Sequence, residues 1–303
     1  MRIKETDTPQ GALQYRIVDD QAEIMAYRGK DLEVVIPNKI ESCPVTCIGK
    51  KAFLSNKMLK QITLPDTIMR IDDWAFACCA KLTKIVFPYH KLEIGQGAFK
   101  ECYRLEQIID EQGDMTGKKT IDVGYLLAAT MSRLNAFYLF DFENAGTDNW
   151  LAQWDARMQN LMELDDAEGF SRMLLCGEED YGSKENNLEY YMSQQRRGKV
   201  RLAMLRLMHD YGLPEATRVY LKDYLLKHIK GQATEETWLV VLEEHGDEIV
   251  YYRFLTELGC VTTENLQNMM EDMGDNHTEM KAYLMRYHSE QNTKADAFDA
   301  FVL

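Results

Sequence analysis

Hydrophobic and polar positions follow two regimes along this 303-residue chain. In the first third, short apolar runs recur at a fixed step of 23 residues. Ile62-Thr-Leu-Pro65 aligns with Ile85-Val-Phe-Pro88. The same step relates Ile48, Ile71 and Ile94, and the pairs Ala52-Phe53, Ala75-Phe76 and Ala98-Phe99. It also relates Asn56, Cys79 and Cys102, then Leu59, Leu82 and Leu105, and then Ile62, Ile85 and Ile108. Alternation around Leu82, Ile85 and Phe87 predicts a short strand, and the proline that follows ends its ladder because it has no N–H. One such unit cannot bury its apolar face alone, so successive units stack and each covers the next. The phenylalanines are expected to form one continuous ladder, and Cys79 and Cys102 a second, as buried thiols acting as small hydrophobes.

After residue 115 the period changes. Gln112-Gly-Asp-Met-Thr-Gly-Lys-Lys119 is a polar, glycine-containing stretch, and helical spacing follows it. Trp150, Trp154, Met158 and Leu161/Met162 share one helix face, and Val200, Leu202, Leu205 and Met208 another. Pro214 suits a first helical position. Gly246-Asp247, Gly259, Thr262 or Thr263, and Gly274-Asp275 mark helix ends at short intervals. The expected architecture is α+β: a β solenoid over 1–115, an all-helical domain over 116–290, and a disordered tail over 291–303.

The Leu59-Lys-Gln-Ile-Thr-Leu-Pro65 strand, with Ile48-Gly49 and Ala52-Phe53, resembles the BspA-type leucine-rich repeat. Leu13-Gln-Tyr-Arg-Ile17, Val34-Val-Ile-Pro37 and Pro44-Val-Thr46 fit that family's lead-in, a strand pair covering the first repeat. The resemblance implies a recognition surface rather than an activity. The helical half is similar to degenerate ankyrin-type helix pairs without the Thr-Pro-Leu-His signature. It is also similar to helical tails that follow this repeat type in proteins of gut-dwelling Firmicutes.

Charge adds a second asymmetry. Residues 1–115 carry 16 Lys/Arg and 17 Asp/Glu, whereas the remainder carries 19 and 32. An acidic surplus of this size repels phosphate backbones, which argues against nucleic acid and anionic membrane as partners. No stretch reaches the roughly 18 apolar residues of a membrane span, and the first residues lack the apolar core of a secretory signal. Seven cysteines, an odd number, point to reduced thiols and a cytoplasmic location. A signal sequence removed upstream would instead make a cell-surface adhesin.

No phosphate-binding, nucleophile-elbow or His-Glu-x-x-His motif occurs, so no catalytic residue, metal or cofactor is assigned. The strand positions expected to face a partner are Lys60, Thr63, Lys84, Val86, Gln107 and Ile109. The partner expected is a protein, bound by a monomer or weak dimer. The rival reading is a metal-assisted hydrolase centred on His245 and Asp247, opposed by the helix break expected at Gly246. Arg196-Arg-Gly-Lys-Val-Arg201 is expected to pair with neighbouring carboxylates. Gly177-Glu-Glu-Asp-Tyr181 reads as a solvated acidic loop, and Cys43-Pro-Val-Thr-Cys47 as neither a zinc site nor a disulfide.

Overall fold

The computed structural model describes residues 3–87, 92–110, 118–141, 143–176 and 187–299. Strands fill the first part: β1 (Lys4–Thr8), β2 (Gly11–Val18), β3 (Gln21–Gly29), β4 (Glu33–Val35), β5 (Lys39–Ile40) and β6 (Cys43–Ile48). β7 (Gln61–Thr63), β8 (Arg70–Ile71), β9 (Lys84–Phe87), β10 (Glu93–Ile94) and β11 (Gln107–Asp110) complete the set. They form two sheets. One runs β1-β2-β3-β6-β8-β10, with β5 attached to β6, and the other runs β11-β9-β7-β4. Pairing within the second sheet is parallel throughout. Each coil therefore contributes one strand to each sheet, which is the solenoid expected from the 23-residue step.

The core between the sheets follows the repeat columns. Ile62 and Ile85 are fully buried and Ile108 nearly so, as are Phe53, Phe76 and Phe99. The rings of Phe53 and Phe76 stack at 5.0 Å and those of Phe76 and Phe99 at 5.3 Å. Tyr27 of β3 extends the ladder at 5.4 Å from Phe53, so the lead-in strands join the same stack. The thiols form the second ladder: Cys79 Sγ donates to the carbonyl of Phe53 at 3.1 Å and Cys102 Sγ to that of Phe76 at 3.0 Å. A cysteine here ties one coil to the backbone of the coil before it.

The helices are α1 (Lys118–Ser132), α2 (Asp148–Met162), α3 (Phe170–Cys176), α4 (Leu188–Met208) and α5 (Glu215–Lys227), then α6 (Glu236–Glu244), α7 (Ile249–Leu258), α8 (Thr263–Asp272) and α9 (Thr278–Asp299). The chain divides into two compact units, one of residues 1–161 with 209–212 and the other of 162–208 with 213–303. Strand gives way to helix near the expected place, but α1 and most of α2 belong to the first unit. The reason is the open end of the solenoid. α1 packs against β11, and a Cβ at Gly124 would lie 2.5 Å from the Ile108 carbonyl oxygen. Trp154 Nε1 then donates to the Leu126 carbonyl at 3.0 Å, fixing α2 on α1.

In the second unit the punctuation read from sequence places the helix ends. Pro214 is the N-cap of α5, and Gly259 closes α7 at a left-handed φ of 77°. Thr262 and Asn265 form a capping box at the start of α8. Asp247 does not cap α7, whose N-cap is Glu248. The segment 291–299, expected to be disordered, is the end of α9, and 300–303 lie outside the described residues. So do Pro88, residues 112–117 of the polar stretch and Gly177–Tyr181.

Candidate interaction surface

Register in the parallel sheet orders the side chains that leave the core. Glu33, Gln61, Lys84 and Gln107 make one row across β4, β7, β9 and β11, and Val35, Thr63, Val86 and Ile109 the other. Val34, Ile62, Ile85 and Ile108, lying between them in sequence, point inward and are buried. The outer face therefore alternates a charged or amide row with a row of small aliphatic and hydroxyl groups.

Four of the six sequence-predicted positions, Thr63, Lys84, Val86 and Gln107, take their places in these rows with partial exposure. Lys60 does not. It precedes β7, where its amide donates to the Leu32 carbonyl at 2.7 Å and its carbonyl accepts from Thr83 at 2.9 Å. The 23-residue step pairs Lys84 with Gln61, so Gln61 takes the position assigned to Lys60. Ile109 has the right register but retains only 7% exposure. β11 is the strand against which α1 packs, and the open face ends before Ile109.

The face gains a fourth strand at its other edge. Val35 of β4 is 68% exposed and Glu33 beside it is exposed as well. The signal was present in sequence, because Val34-Val-Ile-Pro37 repeats the pattern of Ile62-Thr-Leu-Pro65, at a step of 28 rather than 23 residues. The longer step hides it from a strict repeat alignment.

The other candidates have local partners or none that makes a site. His245 Nδ1 lies 3.0 Å from Glu248 Oε1, whereas Asp247 Oδ1 lies 2.7 Å from His277 Nδ1. His245 and Asp247 thus belong to separate pairs. The ring of His277 packs so closely over Gly246 that a Cβ there would lie 2.4 Å from its Cε1. Arg196, Arg197 and Arg201 of α4 bind Glu236, Glu243 and Glu244 of α6 at 2.8, 2.6 and 2.5 Å. Lys199 binds Asp166 at 2.7 Å. The basic run is consumed by the unit's own carboxylates, as its sequence context implies. Cys43 and Cys47 lie four residues apart on one extended strand, roughly 13 Å, beyond the ~7 Å that a disulfide spans. Both are free thiols.

Residues 27–118 match the family model described as the BspA type leucine rich repeat region, in six copies. The solenoid is a BspA-type leucine-rich-repeat region. Among solved structures, this chain is similar to a leucine rich cell surface protein from Faecalibacterium prausnitzii A2-165, at 26% identity over 35% of this chain and 30% of that one, with a TM-score of 0.30. It is similar to a leucine-rich repeat protein from Bacteroides ovatus ATCC 8483, at 27% identity over 34% and 29%, TM-score 0.30. A third such protein, from Bacteroides capillosus ATCC 29799, matches at 27% identity over 35% and 83%, TM-score 0.29. The chain thus spans under a third of the length of the first two. No curated protein matches it. The matched residues hold β4 to β11, the phenylalanine ladder and the open sheet face.

Proposed function

We propose that this chain is a non-enzymatic interaction module that holds a protein partner against the outer face of β4, β7 and β9. The observation that carries the reading is the row Val35–Thr63–Val86, lying beside the polar row Glu33–Gln61–Lys84 on the same outer face. An exposed valine at the sheet edge beside ordered polar groups suits a partner surface that brings one apolar anchor and a few hydrogen-bonding groups. A net charge of −14 supports a protein rather than a nucleic acid as the partner. No helix among the described residues is long and apolar enough to cross a membrane. The proposed location is the cytoplasm, supported by Cys79 and Cys102 acting as thiol donors in the ladder. The helical second unit, read as ankyrin-like stacked pairs, is a companion surface in this proposal.

The test is capture from a lysate of the source organism with quantitative mass spectrometry. Wild type is compared with a Val35→Asp, Lys84→Glu, Val86→Asp variant and with Val250→Asp, which alters an exposed position of α7. A protein held by wild type and by Val250→Asp but lost from the triple variant supports the reading. Equal capture by all three, or capture of nothing specific, overturns it.

A further inference from the structure

We propose that Glu23, Cys47 and Asp72 form a site for a thiophilic divalent cation of the Zn²⁺ class on the larger sheet of the solenoid. Among the described residues this is the one group of three or more metal-donor side chains whose ligand atoms lie within 4.8 Å of one another. The fold builds it in register. Glu23 of β3 is paired with Cys47 of β6, which is paired in turn with Arg70 of β8, and Asp72 follows directly after β8.

One edge of the group suits a tetrahedral ion. Cys47 Sγ lies 3.7 Å from Asp72 Oδ2. With Zn–S near ~2.3 Å and Zn–O near ~2.0 Å, the S···O edge of a tetrahedron is roughly 3.5 Å. That edge is therefore almost in place without an ion. Arginines already orient both carboxylates, and Arg70, which also hydrogen-bonds the Cys47 thiol, uses the other oxygen of Asp72. Arg16 Nη2 holds Glu23 Oε2 at 2.7 Å and Arg70 Nε holds Asp72 Oδ1 at 2.7 Å. Oδ2 of Asp72 receives the thiol instead. Oε1 of Glu23 occupies space that a side chain at Gly49 would fill, since a Cβ there would lie 2.8 Å from it. A carboxylate that holds a cation with one oxygen and an outer partner with the other is the usual way a metal's second shell fixes its ligands.

Two further observations set this group apart from an ordinary surface ion-pair patch. The 23-residue step places Gly49, Asp72 and Gly95 in one column, so Asp72 stands where the neighbouring coils have glycine. The repeat does not need a carboxylate there. The third donor is the thiol of Cys47, only 5% exposed, in a column whose other members are Arg70 and Glu93. The thiol donates its proton to Asp72 here, and a divalent ion would displace that proton to solvent as it binds the thiolate.

The experiment uses the full chain, reduced and freed of metal with a chelator, titrated with Co²⁺ and then Zn²⁺. The expected result is one equivalent of Co²⁺ with a thiolate-to-metal charge-transfer band, release of one proton per ion, and loss of the band as Zn²⁺ displaces Co²⁺. Cys47→Ser removes the band. Asp72→Gly restores the residue of the neighbouring coils, so the fold is kept, and weakens Zn²⁺ binding at least ~10-fold in competition with a chromophoric chelator. A band that is absent from wild type overturns the proposal. So does a band that persists in Cys47→Ser, which would come from another thiol such as Cys43 or Cys78. Unchanged Zn²⁺ affinity in Asp72→Gly overturns it as well.

Discussion

Arg196 Nε donates to Glu236 Oε1 at 2.8 Å, and the two side chains retain only 7% and 5% of their exposure. Glu189 and Asp166 complete the surroundings of the guanidinium at 2.7 and 3.5 Å. Burial works against the Glu236 carboxylate, but the hydrogen bond and charge of Arg196, with its own backbone amide and Thr234, together hold the group below its ordinary range. Removing Arg196 leaves the Glu236 carboxylate buried without its guanidinium, whereas Glu236→Ala leaves Arg196 with Glu189 and Asp166. Arg196→Met is expected to destabilise the second unit by ~3–5 kcal/mol, measured by urea unfolding. Replacing both with packed apolar residues, as in Arg196→Met with Glu236→Leu, is expected to cost much less than Arg196→Met alone.

His228 gives the second unit a pH dependence. It sits at the C-cap of α5, with its Nδ1 hydrogen-bonded to Thr234 Oγ1 and 3.9 Å from Glu236 Oε2. Burial lowers its basicity more than Glu236 restores it, so its folded pKa falls below 6.5. A base depressed in the folded state is protonated first in the unfolded chain, which favours unfolding. Its full stability is present above 6.5 and declines as pH falls from there to the folded value. Urea midpoints across pH 7 to 5 should fall, and His228→Gln should remove that part of the slope.

Phe76 has a ring stacked on each side, Phe53 and Phe99, and is fully buried. Phe76→Ala opens a gap in the middle of the ladder that coils on either side cannot close independently. The expected cost is ~3–5 kcal/mol. Thermal unfolding of the variant against wild type measures it.

Val35 and Ile109 occupy one row but opposite environments, 68% against 7% exposed. Val35→Asp should change stability by less than ~0.5 kcal/mol, as an exposed substitution does. Ile109→Asp places a carboxylate on the strand that α1 packs against and should cost several times more. Equal effects in denaturant titrations would show that the face is open across all four strands.

Thr262 accepts from Asn265 N at 3.3 Å while Asn265 Oδ1 accepts from the Thr262 amide at 2.9 Å. Thr262→Ala removes half of this reciprocal cap and is expected to cost about 1 kcal/mol, read from the urea midpoint.

The 23-residue step by itself determined the solenoid, its buried columns and its two ladders. A repeat that cannot bury its face alone has only stacking open to it, and local spacing encodes that choice. Glycine, proline and threonine likewise fixed helix ends near Pro214, Gly259 and Thr262, because capping depends on a few adjacent residues. Tertiary structure decided what depends on pairing between distant segments. Register put Gln61 rather than Lys60 beside Lys84 and brought Glu33 and Val35 into the face across a step of 28. Packing of α1 on β11 withdrew Ile109 and extended the first unit to residue 161. His277, thirty residues away, claimed Asp247 from its expected cap, and Glu23 met Cys47 and Asp72 only where three strands lie side by side. Local periodicity specifies which face of an element is apolar, whereas what covers that face is settled by the whole chain.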